Sequence, residues 1–163
     1  PETRRVVAAF KEGLSRARPG GRVLVSYAGE TVDPTACERV ANRQIDAGSD
    51  VVFVHAGMCG TGALAVSRAR GVWAIASDGL GRARDNVIGA SFTDWDNAVY
   101  AAIQAFRDGR LPPGRDATLG LDGYHVGLEM HTAVPARVAS KVVELCSDLR
   151  VRSESDLADA SGT

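Results

Sequence analysis

Residues 50–62, Asp50-Val51-Val52-Phe53-Val54-His55-Ala56-Gly57-Met58-Cys59-Gly60-Thr61-Gly62, decide the fold. The run begins with a Val-rich apolar stretch of strand length and passes into glycines. An unbroken apolar run of that kind reads as a strand buried on both faces, not as one that alternates between core and water. The glycine-rich loop opens a short helix to Arg70, which Gly71 stops. Trp73-Ala74-Ile75-Ala76 then reads as the next strand. Strand, loop, helix, strand is the pattern of two parallel strands joined by a helical crossover.

The same alternation extends upstream. Val7, Phe10, Leu14 and Ala17 recur at helical spacing over residues 2–17, and Pro19-Gly20-Gly21 ends that helix. Arg22-Val23-Leu24-Val25-Ser26-Tyr27 reads as a buried strand. Asp33-Pro34 then starts a helix, the aspartate as N-cap and the proline at the first helical position. Its apolar face is Cys37, Val40, Ala41, Gln44 and Ile45, and Gly48 closes it.

Downstream, residues 87–91 read as a fourth strand. Asp94 caps a helix with Trp95, Ala98, Val99, Ala102, Ile103 and Phe106 on one face and Gly109 as its stop. Residues 118–121 and 125–130 read as a hairpin around Asp122-Gly123. A last helix is expected over residues 135–149, with Cys146 buried and unpaired in it. Residues 151–163 are polar, acidic and small, and read as a disordered tail after a lobe of residues 1–150. The expected fold class is therefore α/β, a parallel sheet flanked by helices.

In such sheets ligands bind beyond the carboxyl ends of the strands. That rule selects residues 28–33, 56–61, 77–80 and 92–94. The loop at 57–62 offers backbone N–H groups at a helix start, suited to anions or polar oxygens. It lacks the Gly-Lys-Ser/Thr ending of a phosphate loop and the glycine order of a dinucleotide loop, and a tight turn that merely needs glycines is the plain alternative. Asp78, at the end of the third strand, could accept two hydrogen bonds from a sugar diol, or serve only as a turn residue in Ser77-Asp78-Gly79. Cys59 as a nucleophile would need a positioned base, and His55 has no third group to orient it. Cys37 and Cys59 fall at the same sheet edge, where a disulfide and two buried thiols are both reasonable.

Bulk composition excludes several classes. Hydrophobic residues make up 45% and charged residues 24% of the 163, enough apolar material for one core. Net charge is −1 with scattered basic residues, so no nucleic-acid surface is advertised. No apolar run reaches the length of a membrane span. The three cysteines and three histidines show no metal-ligand spacing, and no cofactor motif is present. The chain opens on Pro1 inside a helix start and so reads as processed or as a piece of something longer; no signal peptide is visible, which says nothing about compartment.

An ordered set of blocks carries a resemblance. These are Tyr27-Ala28-Gly29 with Asp33-Pro34, residues 47–53, Ala56-Gly57 through Gly60-Thr61-Gly62, residues 71–78, Gly120-Leu121-Asp122-Gly123 and Val126-Gly127-Leu128. Together they resemble the basic-membrane-protein family of solute-binding lipoproteins, the purine-nucleoside receptors of ABC transporters. The resemblance implies one lobe, the second, of a type I periplasmic-binding-protein (Rossmann-like) fold, with ligand held in the cleft between lobes. It implies a ligand site at His55, Ala56, Gly57, Asp78, Gly79 and Thr93, in which Asp78 holds the ribose hydroxyls. Thr93 stands where the family usually has a lysine. The helix of residues 94–109 is expected to pack on a first lobe, on a partner chain, or on a second copy in a homodimer.

The resemblance further implies a nucleoside-like ligand, a permease partner and an extracytoplasmic location, with a membrane anchor elsewhere in the precursor. Two other classes compete: a ligand-sensing regulatory module on the same lobe, and a Rossmann-like enzyme, for which no catalytic constellation is recognisable.

Overall fold

A computed structural model describes residues 2–29, 32–77, 80, 85–114, 120–121 and 123–161, with side chains over residues 3–150 of these. The described residues form five α-helices and four strands, the α/β class expected. They divide into two compact units: Pro1–Ala76 with Ala83–Val87, and Ser77–Arg82 with Ile88–Thr163.

The first unit is built from α1 (Glu2–Ala17), α2 (Pro34–Asp46), β1 (Val51–Val54), α3 (Gly60–Ala69) and β2 (Trp73–Ala76). The strands β1 and β2 are parallel, with Val51 opposite Trp73 and Val54 opposite Ala76. Val52, Val54, Ala74 and Ala76 are buried, while Phe53 on the other face is stacked by Phe10 of α1 with ring centroids 4.9 Å apart. This is the crossover unit expected from residues 50–76. Asp33 caps α2 by accepting from Thr35 N at 2.9 Å, and Pro34 follows at the helix start.

Residues 22–27 do not form the expected strand. They are extended but belong to no ladder, and Val25 and Tyr27 are exposed. Two side-chain hydrogen bonds tie them to α2 and its C-cap residue instead. Gln44 Nε2 donates to Leu24 O at 3.2 Å, and Arg22 Nη2 donates to Ala47 O at 2.7 Å. A side-chain amide, not a strand, takes the Leu24 carbonyl.

Helices α2 and α3 lie in close contact, and Gly62 is the reason they can. An added Cβ there would stand 2.1 Å from the Pro34 carbonyl oxygen. Leu64 and Ser67 of α3 are fully buried, the Ser67 hydroxyl donating to Ala63 O at 2.8 Å.

The second unit contains β3 (Val87–Thr93, its first residue falling in the first unit), α4 (Trp95–Arg107), β4 (Val126–Met130) and α5 (Ala136–Ser161). Here the pairing departs from the parallel sheet expected. The strand β4 pairs antiparallel with β3, Gly89 opposite Met130 and Thr93 opposite Val126, so the strand pairing of the chain is mixed. Of the partner expected for β4, residues 118 and 119 lie outside the described residues, and Gly120 and Leu121 belong to no strand. Gly127 sits directly opposite Phe92, whose ring fills the space a Cβ would take, 2.5 Å from its Cζ.

Helix α4 has the Asp94 cap expected, Asp94 Oδ1 accepting from Asn97 N at 3.0 Å. Its supposed single apolar face is in fact two. Ala98 is buried and Ala102 half-buried, whereas Trp95, Val99, Ile103 and Phe106 are 55–71% exposed. Helix α5 continues to Ser161, where the sequence reading stopped at Leu149 and expected a loose tail. No glycine or proline lies between Leu149 and Gly162 to end it. Cys146 is free, as expected, but half-buried.

Candidate functional site

The carboxyl end of β1 builds the part of the site that is described. His55 and Ala56 follow the strand half-buried, and Gly57 turns the chain at φ +55°, a left-handed conformation natural to glycine. Gly57–Cys59 then makes a single 3₁₀ turn leading into α3. No side chain caps Ala56 or Cys59 at these two starts. The turn is fixed from both sides: Thr61 Oγ1 donates to Met58 O at 2.8 Å, and Cys59 is disulfide-bonded to Cys37 of α2 with Cα atoms 5.5 Å apart. Of the two readings open for this pair, the structure takes the bridge.

The bridge also disposes of one chemical reading. Cys59 is fully buried and its sulfur is spent in the disulfide, so the residue offers no thiolate to attack a substrate. The glycine run is explained residue by residue. Gly57 serves the turn, while Gly60 and Gly62 lie inside α3, where Gly62 serves helix packing.

The other expected site residues are distributed as follows. Ser77, at the end of β2, is buried, and Asp78 and Gly79 after it lie outside the described residues. Thr93 ends β3 in the second unit, half-buried and paired with Val126. Beside it Asp94 N donates to the carbonyl of His125 at 2.7 Å, and Asn97 Nδ2 donates to Gly123 O at 3.0 Å. The imidazole of His125 is buried and occupies the space a Cβ on Gly123 would need. The sequence reading treated His125 only as a strand start; its role as a wedge behind the α4 cap follows from long-range packing with no local signature. Among the described residues the resolved pKa shifts lie in the second unit, just past α4 and on α5. Hydrogen bonds from Arg107 and then Arg110 hold Asp108 below the usual carboxylate value, and Glu144 raises Lys141.

A family model described as ABC transporter substrate-binding protein PnrA-like matches residues 1–150. The chain belongs to the Bmp family. That membership makes it one of a family of ABC substrate-binding proteins, the resemblance its ordered blocks carried. Solved structures agree on the fold of this Bmp chain. A solute-binding protein of an ABC transporter system from Aeropyrum pernix K1 is 25% identical, with a TM-score of 0.55 over 85% of this chain and 43% of its own. One from Conexibacter woesei DSM 14684 is 19% identical, with a TM-score of 0.68 over 88% and 49%. A transcriptional activator of the comK gene from Bacillus halodurans is 20% identical, with a TM-score of 0.65 over 76% and 44%. The chain thus spans less than half the length of these solved relatives. Among curated proteins none matches.

Proposed function

We propose that this Bmp chain is the second lobe of an extracytoplasmic receptor that binds a purine nucleoside or a related small polar ligand and delivers it to an ABC permease. The family match over residues 1–150 carries the reading. The open, bridge-pinned turn beyond β1 supports it, because that is where a lobe of this class meets its ligand. In this reading the ligand contacts come from His55, Ala56, Gly57, Asp78, Gly79 and Thr93, and the Asp78 carboxylate accepts from the sugar hydroxyls. A membrane anchor elsewhere in the precursor keeps the receptor by its permease.

Asp78 is the main polar anchor. Hydrogen bonds to an ionised acceptor are worth roughly 1.5–3 kcal/mol each. Asp78→Ala in the complete protein should therefore weaken adenosine by about tenfold or more in titration calorimetry. Unchanged affinity would remove the ribose site from this chain.

A single lobe offers one wall, and small-molecule sites usually bury most of their ligand. The exposed α4 stripe of Trp95, Val99, Ile103 and Phe106 supports a first lobe that covers it. Burying such side chains is worth roughly 1.5–3 kcal/mol apiece. The 163-residue chain alone should self-associate through this helix, and light scattering should show a dimer or larger species. Trp95→Glu with Ile103→Glu should return it to monomer. A wild-type chain that stays monomeric at high concentration would sink the two-lobed reading.

A further inference from the structure

Within the first unit the large apolar side chains with the most exposure are Tyr27, Val32 and Met58, each 60% or more, whereas Val51 and Trp73 at the opposite ends of the strands are less exposed. Standard chain dimensions put Tyr27 near the level of Met58. Arg22 bonds at Ala47 and Leu24 at Gln44, so the extended segment runs back along α2 toward its N-terminus. Three residues beyond Leu24, at about 3.3 Å each, carry the chain about 10 Å, which is about seven residues of helix at 1.5 Å per residue. On those dimensions Tyr27 falls near the level of Cys37, whose partner Cys59 directly follows Met58.

Met58 combines a fixed backbone with a free side chain. Its carbonyl is held by Thr61, the next residue is buried and cross-linked, and yet the residue is 60% exposed. A methionine side chain is unbranched and polarizable, and makes favourable contacts with aromatic rings.

We infer that Met58 is a specificity-determining residue, presented by the Cys37–Cys59 bridge to the flat apolar part of the ligand. This rests on the receptor reading above. The bridge acts as a positioning element, and Met58 makes the contact.

The test is titration calorimetry of adenosine on the complete protein, alongside the melting temperature without ligand. Met58→Ala should weaken adenosine by about tenfold, the worth of one apolar side chain's contact, while the melting temperature stays the same. Met58→Leu should recover most of the affinity, and Met58→Gln, of similar size but polar, should not. Removing the bridge with Cys37→Ala/Cys59→Ala should make the added cost of Met58→Ala smaller than in the bridged protein, as coupled neighbours require. Unchanged affinity in Met58→Ala, or equal affinity for the Leu and Gln variants, overturns the inference. If Asp78→Ala still weakens binding in that case, the receptor reading survives; a wild-type protein that ignores adenosine overturns both.

Discussion

Gly62→Ala should destabilise the first unit severely. The new methyl would lie 2.1 Å from the Pro34 carbonyl oxygen, 2.8 Å from its carbonyl carbon and 2.9 Å from Glu38 Cγ. Glu38 can swing away, but the Pro34 backbone cannot. Pro34 opens α2, and its neighbour Cys37 is tied to Cys59 just before α3, so the bridge resists the separation that would relieve the overlap. Overpacking of this kind costs about 1–3 kcal/mol and occasionally more. The gain in helix propensity from glycine to alanine is about 1 kcal/mol, so the steric cost wins. We expect a net loss of about 2 kcal/mol or more, the steric term lying at or above the top of its usual range. Gly13→Ala is the control: it sits in α1 with nothing within 4 Å of the added carbon and should gain up to about 1 kcal/mol. Urea unfolding of the two variants should move in opposite directions. A Gly62→Ala protein as stable as wild type would mean that α2 and α3 do not pack as described.

That glycine shows what a sequence can and cannot disclose. A run of glycines after a strand announces a turn, and at Gly57 it is one. Nothing local distinguishes a glycine needed for positive φ from one needed for close helix contact, because the second depends on a residue 28 positions earlier (62 − 34 = 28). The elements set by local chemistry were legible: the Asp33 and Asp94 caps, the Pro34 start, and the βαβ period over β1, α3 and β2. Those set by partners were not. Residues 22–27 have the composition of a strand, but they belong to no ladder; Gln44 takes the Leu24 carbonyl and the Arg22 guanidinium bonds Ala47 O. Residues 125–130 have the pattern of a hairpin arm, but their strand pairs with β3. In α4 periodicity puts the alanines and the large apolar residues on one side; only packing reveals that alanines face inward and the bulky stripe faces solvent.

The candidate site divides in the same way. Ala56 and Gly57 fall where the strand-end rule puts them, since that rule needs only the order of strands and helices, and His55 directly follows the last residue of β1. Met58 escaped the sequence reading because an exposed methionine carries no motif; its interest comes from the anchors on either side. Roles for Asp78 and Thr93 come from the family resemblance and stand or fall with ligand measurements.

Removing the Cys37–Cys59 bridge should cost the protein about 3 kcal/mol. The two cysteines are 22 residues apart in sequence, and the chain-entropy estimate for closing a loop of that size in the unfolded state is about 3 kcal/mol. Cys37→Ala/Cys59→Ala is the suitable variant, because serine at a fully buried position would add the cost of an unpaired hydroxyl. The urea midpoint should fall accordingly, and adenosine affinity with it if the turn beyond β1 touches ligand. The bridge should also resist reduction while the protein is folded. Both cysteines are buried, so a thiolate can reach the sulfurs only after local or global opening. Cys146 is the free thiol among the three. Thiol titration of the unreduced, denatured protein should therefore count one reactive group, and titration after reduction in denaturant should count three. Reductant added to the folded protein should leave the count at one for far longer than in denaturant. A persistent bridge of this kind fits an oxidising compartment, which the extracytoplasmic reading requires. Three reactive thiols in the unreduced protein would remove the bridge, and with it the restraint proposed to present Met58.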